Sequence, residues 1–157
     1  MTETCPLCAI VAGRSSTPGG IIHNAECWLV VHHPGLQSDP GELLVILRRH
    51  AESIGALTEA EAAALGPVLH AGVAGIERVV APERVYTASY NERNRHVHFF
   101  LLPRTRALPA GHVTSDLFRR GRGLLRGWGL ASNPSAAARA DAADRIRAED
   151  VWRTLHD

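Results

Sequence analysis

A chain of 157 residues is long enough for one compact domain with a real core. Hydrophobic residues make up 45% and charged residues 21%, an ordinary globular balance. The formal net charge of +1 excludes a bulk electrostatic pull toward nucleic acid or a membrane surface. The N-terminal stretch MTETCPLC lacks the charged and apolar regions of a secretory leader, and no apolar run approaches the ~18 residues of a membrane span. Three cysteines do not make a disulfide framework, so a reducing cytoplasm is the expected setting, with the Cys5-x-x-Cys8 pair read as metal or redox.

Residues 21–33, IIHNAECWLVVHH, read as two extended runs around a turn at Asn24 to Glu26. GELLVILRR, 41–49, reads as a buried strand, apolar from Leu43 to Leu47. Residues 57–80 read as a helix. Thr58 and Glu61 match a capping box, Gly66-Pro67 is expected to kink or divide the helix, and Pro82 to end it. ERVYTASYN, 83–91, and RHVHFFLLP, 95–103, read as two further strands, the second stopped by Pro103. Residues 105–133 read as loop-rich. Asn133 and Pro134 are expected to open a last helix as cap and first residue. That helix is expected to dock through Ala148, Val151, Trp152 and Leu155. Strands pairing in sequence around one main helix argue an α+β fold with an antiparallel sheet, in one domain spanning 1–157.

Chemistry concentrates in RHVHFF. Residues two apart share a strand face, so His96, His98, Phe100 and Leu102 point one way and Val97, Phe99 and Leu101 the other. The second set is a core stripe. The first must meet metal, substrate or water, unless its histidines are structural and hydrogen-bonded. Cys5, Cys8, His50 and one of the strand histidines would complete a closed tetrahedral zinc site of two thiolates and two imidazoles. A redox role for Cys5 and Cys8 is disfavoured because no strand precedes them. Cys27 lies outside the spacing and reads as an ordinary buried thiol. Arg93, Arg95, Arg104 and Arg106 bracket the motif, and Arg119, Arg120, Arg122 and Arg126 follow. They form either a solvated face or anion contacts.

Three stretches, CPLCAIVAG, GELLVILRRHAESIGALTEAE and VYTASYNERNRHVHFFLLPR, stand in the order and spacing of the histidine triad (HIT) superfamily. Across roughly residues 5–105 the chain resembles its zinc-containing bacterial branch. The resemblance implies a HIT-like fold of about five antiparallel strands, one main helix and a C-terminal helix, with 106–157 as an extension. It places structural zinc on Cys5, Cys8, His50 and His96 and makes His98 the nucleophile. The implied activity is that of a hydrolase or nucleotidyl transferase. It would act on a phosphate ester, anhydride or phosphoramidate through a phospho-histidine intermediate. Asn91, Arg93, Asn94 and backbone amides are the candidate donors to the phosphoryl oxygens.

The chain departs from the pattern in ways that bear on substrate. Phe100 stands where the family carries its third histidine, and His33 stands about where relatives have a ribose-binding acid. VILRRH replaces the VIPKRH of many relatives, and the SYNERN loop is short. His32 and His33 are candidate substrate contacts; the alternative is two partly exposed strand-end residues. The second reading of the whole chain is a HIT-fold protein, impaired or repurposed, that binds a nucleotide or other anionic small molecule without standard turnover. A homodimer is expected, through joined sheets or through helix 57–80, whose small residues permit close backbone approach. No nucleic-acid or membrane partner is expected.

Overall fold

A computed structural model describes residues 5–35, 38–105, 128, 134–153 and 155. In chain order the elements are α1 (Pro6–Val11), β1 (Ile21–Asn24), β2 (Trp28–His32), β3 (Leu43–Leu47) and a 3₁₀ turn (Ile54–Ala56). Then follow α2 (Glu59–Val80), β4 (Arg84–Ala88), β5 (His98–Arg104), α3 (Ala136–Ala148) and a second 3₁₀ turn (Asp150–Trp152). The architecture is α+β, with a five-stranded antiparallel sheet, as expected.

The sheet order is β1-β2-β3-β5-β4, so the strands do not all pair in sequence. α2 carries the chain from β3 to β4 across one strand position, and β5 fills that position. Burial explains the preference. Five of the seven residues of β5 are buried, whereas every residue of β4 is partly or fully exposed, as an edge strand permits. Val45 faces Phe99 and Ile46 faces His98 across the central pair. Pro103 does not stop β5, which continues to Arg104 and sets Pro103 opposite Val85. β3 pairs only as far as Leu101, so the missing N–H of Pro103 leaves no β3 carbonyl unmatched.

Both faces of the sheet are covered. On one, Trp28, Val30, Val45, Val97, Phe99 and Leu101 join Val68 and Ile76 of α2 and Ala143 and Ile146 of α3. The buried Trp28 indole donates to the Glu61 carbonyl at 2.9 Å. On the other, Leu7 and Ile10 of α1 pack on Leu29, Val31, Leu44 and Ile46, with Phe100 at the margin. Gly41 sits at φ +84°, and a Cβ there would come within 2.6 Å of Val80, so the entry to β3 requires glycine.

α2 is continuous through Pro67, so of the expected kink or division the division does not occur. Pro67 and Ala63, whose carbonyl loses its helical donor, both lie on the exposed side, where water replaces the bond. By length and mean hydropathy, 1.2 over 18 residues, α2 could cross a bilayer, a length that gapless apolar runs did not reveal. Here one side of it is seated on the sheet and α3. The last helix begins at Ala136, with Ser135 accepting from the Ala138 amide at 3.0 Å, and Pro134 lies outside it. Asn133 falls outside the described residues. Its docking face is Arg139, Ala142, Ala143 and Ile146, one helical stripe earlier than expected. Trp152 docks from the 3₁₀ turn that follows, stacked on His23 at 5.0 Å.

The capping box joins two parts of the fold. Glu61 N–H donates to Thr58 Oγ1 at 3.2 Å, and Thr58 N–H to Glu61 Oε2 at 2.8 Å. The same carboxylate accepts from Arg49 Nε and Nη2 at 2.9 and 2.7 Å. The Arg49 guanidinium, with help from the Thr58 amide, pulls the Glu61 carboxyl down to about 2. Arg49 is thereby tied to the start of α2, and His50 follows it. Glu61→Ala is expected to cost about 1–2 kcal/mol at neutral pH, read by urea unfolding. The folded value lies below the unfolded 4.5, so the contribution is complete above about 4.5 and fades as pH falls toward 2. A wild-type-to-variant gap that stays constant through that window would contradict this account.

Candidate metal centre and motif strand

α1 is one and a half turns long and opens directly after Cys5, with Pro6 at its first position. Cys5 and Cys8 thus lie one turn apart at its N-terminal end. Leu7 and Ile10 press the helix onto the sheet. The sulfurs meet two rings there. Cys5 Sγ lies 3.4 Å from His96 Nδ1, and Cys8 Sγ lies 3.3 Å from His50 Nδ1 and 3.5 Å from His96 Nδ1. All four donor atoms fall within 4.8 Å of one another. A tetrahedral ion with metal–sulfur bonds near ~2.3 Å and metal–nitrogen bonds near ~2.0 Å has sulfur-to-nitrogen edges of about 3.5 Å. The observed separations match those edges, so the donor set and its spacing fit zinc.

The outer contacts agree. His96 Nε2 lies 2.6 Å from the Leu47 carbonyl, which can only accept, so the ring hydrogen is on Nε2 and the Nδ1 lone pair faces the sulfurs. Burial lowers the His96 pKa, with His50 and His98 adding to the effect against the pull of the Leu47 carbonyl. A neutral ring is the form that ligates. His96 precedes β5, yet its segment is held: Leu47 N–H donates to the Val97 carbonyl at 3.1 Å, and Val97 N–H to the Ala51 carbonyl at 2.8 Å.

His98 is buried at the head of β5, opposite Ile46. Its Nδ1 lies 2.6 Å from the His96 carbonyl, so Nδ1 carries the hydrogen and Nε2 the lone pair. Nε2 has no hydrogen-bond partner among the described residues. Burial lowers this pKa too, with the carbonyl opposing, and favours the neutral ring. Phe100 follows on the same face, its ring 5.0 Å from that of His98 and steeply inclined at 70°. Val97, Phe99 and Leu101 enter the opposite core. The alternation expected of the strand therefore holds.

The other candidates divide. His33 reaches Phe100, ring to ring at 5.6 Å, and its Nδ1 accepts from the Gly35 amide at 3.1 Å. His32 is no contact candidate. It is fully buried, Nδ1 donates to the His33 carbonyl at 3.0 Å, and Nε2 accepts from the Gly41 amide at 3.2 Å, so both nitrogens serve the β2–β3 connection. Asn91 stands at φ +50° and interacts with Ser89, Arg93 is exposed and Asn94 is half-buried; no described hydrogen bond joins these three to His98. Arg95 pairs with Glu52 at 3.7 Å and Arg104 with Glu83 at 3.0 Å, which accounts for two of the bracketing arginines. Arg106, Arg119, Arg120, Arg122 and Arg126 lie outside the described residues. Cys27 is half-buried against the core, and burial foremost raises its pKa.

Two residues escaped sequence reasoning. Tyr90, 48% exposed, lies 6.2 Å from Phe100, ring to ring. An aromatic residue just past a strand and before the motif was its only signal. Arg139, buried on α3, donates to the Gly35 carbonyl at 2.7 Å and so braces the turn beside His33. Nothing in the local pattern marks that contact across the fold.

No family model and no curated protein matches the chain. Solved structures do. A HIT-like protein from Bartonella henselae, described as involved in cell-cycle regulation, superposes with a TM-score of 0.69 at 12% identity, covering 94% of this chain and 97% of its own. A hypothetical histidine triad nucleotide-binding protein from Sulfolobus tokodaii gives 0.68 at 17%, over 96% and 93%. A zinc-bound histidine triad family protein from Mycobacterium smegmatis gives 0.65 at 18%, over 97% and 95%. At these identities the likeness concerns the fold, and over nearly its whole length this chain has the fold of the histidine triad proteins.

Proposed function

We propose that this protein is a phosphohydrolase or nucleotidyl transferase that uses His98 as its nucleophile. The carrying observation is the 2.6 Å bond from His98 Nδ1–H to the His96 carbonyl, which leaves the Nε2 lone pair for reaction. In the proposed first step that pair attacks phosphorus of a nucleoside phosphate ester, anhydride or phosphoramidate. The bond to the leaving group breaks, and its electron pair departs with that group. The ring becomes a cation, and the His96 carbonyl facing Nδ1–H stabilises it. Water then attacks phosphorus, the nitrogen–phosphorus pair returns to Nε2, and the proton of water passes to solvent. Two modest displacements replace one difficult one. Asn91, Arg93 and Asn94, together with local amides, are the proposed donors to the phosphoryl oxygens.

Zinc on Cys5, Cys8, His50 and His96 completes the proposal. With four protein ligands it would serve as a structural tie with no open position for water. It would join α1, the segment after β3 and the start of the motif, so its loss should also loosen the fold. Protein purified without added metal is expected to contain one zinc per chain by elemental analysis. Removal by chelator should lower the melting temperature. Zinc content unchanged in a Cys5→Ser, Cys8→Ser double variant would remove the site.

Phe100 shapes the reaction on this reading. Phenylalanine cannot give a proton, so leaving groups that depart as stable anions, such as acyl phosphates and phosphoric anhydrides, should outpace alkyl phosphoramidates. General acid assistance is typically worth ~10²- to 10⁴-fold, so the preference should be large. Phe100→His is expected to raise turnover of poor leaving groups more than of good ones, and His98→Ala to abolish both. Full activity in His98→Ala on the best substrate would overturn the mechanism. The same ring favours a second reading, a binding protein with impaired turnover. Nucleotide binding without turnover by wild type or Phe100→His would establish it.

A homodimer belongs to the proposal. Gly72 and Gly75 of α2 face Leu101, Ile146 and Trp152 of their own chain, so those small residues serve internal packing. Ala62, Ala63 and Gly66 are exposed and available to a second copy. Light scattering should give twice the 17.0 kDa chain mass, and a monomer at micromolar concentration would refute the dimer.

A further inference from the structure

Among the described residues three rings neighbour Phe100: His98 at 5.0 Å, His33 at 5.6 Å and Tyr90 at 6.2 Å. They come from three parts of the chain, the head of β5, the residue after β2 and the residues after β4. Their planes are inclined to Phe100 by 70°, 41° and 47°, so the rings make a corner rather than a stack. Its strand neighbours are apolar as well. Phe100 stands opposite Leu44 of β3 and opposite Ala88 of β4, which contributes only a methyl. Arg95 and Arg104, the nearest arginines in sequence, are engaged by Glu52 and Glu83.

These surroundings constrain what can be attached to phosphorus at His98. Phe100 is the next residue on the face, about 7 Å along the strand, and its ring lies 5.0 Å from that of His98, so the corner is within reach of a substituent on a phosphorus held at His98. The corner offers aromatic edges and faces, which favour a planar aromatic guest over an aliphatic one by quadrupole complementarity. Phe100 itself gives no proton, so a leaving group that departs unprotonated loses least by its presence, whatever the Tyr90 hydroxyl and the His33 ring N–H contribute. A phenolate meets both conditions: it is planar, and it leaves as a delocalised anion.

We infer that the Phe100–Tyr90–His33 corner is an aryl subsite, and that the substrates of this protein are aryl esters of phosphate, or mixed anhydrides with aromatic acids. The inference rests on the proposed attack by His98, since that places phosphorus beside the corner. In the reaction, the lone pair of His98 Nε2 forms the bond to phosphorus while the bond between phosphorus and the aryl oxygen breaks. Its electron pair leaves on the phenolate or aromatic carboxylate. Water then releases the phosphoryl group, and its proton goes to solvent.

Benzylphosphonate and cyclohexylmethylphosphonate test the subsite without turnover, because a phosphorus–carbon bond replaces the scissile one. Their affinities for wild-type protein are measured by NMR titration. Benzylphosphonate is expected to bind at least tenfold more tightly, and the ratio to fall below threefold in Phe100→Leu and Tyr90→Leu. Tyr90 is half exposed, so its variant keeps the test decisive if Phe100→Leu does not fold. Equal affinities, no binding of either compound, or a preference that survives both substitutions would overturn the inference. Turnover of phenyl and alkyl phosphate esters by wild type and His98→Ala separates the two levels. Benzyl preference without His98-dependent turnover leaves the aryl subsite standing and refutes the catalytic reading. Turnover without benzyl preference does the reverse.

Discussion

The hydrogen bonds between the end of β3 and the residues before β5 set the rest of the site. Leu47 contributes both its amide, to the Val97 carbonyl, and its carbonyl, to His96 Nε2. The carbonyl of His96 in turn takes the Nδ1 hydrogen of His98. A carbonyl only accepts, so the two bonds to ring nitrogens each decide a tautomer. The two histidines are committed to opposite nitrogens. His96 presents Nδ1 to the cysteines of α1, and His98 presents Nε2 away from the backbone. One short stretch of paired backbone thus makes two chemically different imidazoles from identical side chains two residues apart.

The sheet keeps those roles separate by being covered on both sides. α2 and α3 take the Val97–Phe99–Leu101 stripe, and the short α1 takes part of the other. Six residues of helix cannot bury a whole sheet face, and the remainder is where His98, Phe100, His33 and Tyr90 gather. A metal tie fits that economy. α1 has no side-chain cap of its own and too little length to be stable alone, so a metal held by the two sulfurs at its start would anchor it.

The residues that surround Phe100 change the character of the face. A histidine in its place would put three imidazoles in a row. A phenyl ring beside His33 and Tyr90 makes the same place apolar and flat-sided. The fold is that of the histidine triad proteins, with His96 just before β5, His98 at its head and Phe100 next on that face. Chemistry at the third position is a property of this chain.

What could be read from the sequence were the devices whose physics is local. The Thr58–Glu61 capping box, the turn at Asn24 to Glu26, the period-two split of the motif strand and the Cys5-x-x-Cys8 spacing each depend on residues within about one turn or one strand repeat. The grouping of those cysteines with His50 and one strand histidine could be proposed from the donor types, and the resemblance chose His96 over His98. Strand order was not legible, since β5 displaces β4 beside β3 through burial that no window of sequence contains. Pro67 does not divide α2 and Pro103 does not stop β5, for one reason. The cost of a missing N–H depends on what stands opposite, water in one case and the absence of a third strand in the other. Arg139 bracing Gly35 joins residues 104 positions apart, and Tyr90 standing beside Phe100 joins the residues after β4 to β5, with no period in either. Such contacts are decided when the sheet closes, because only tertiary packing determines which side chains share a wall.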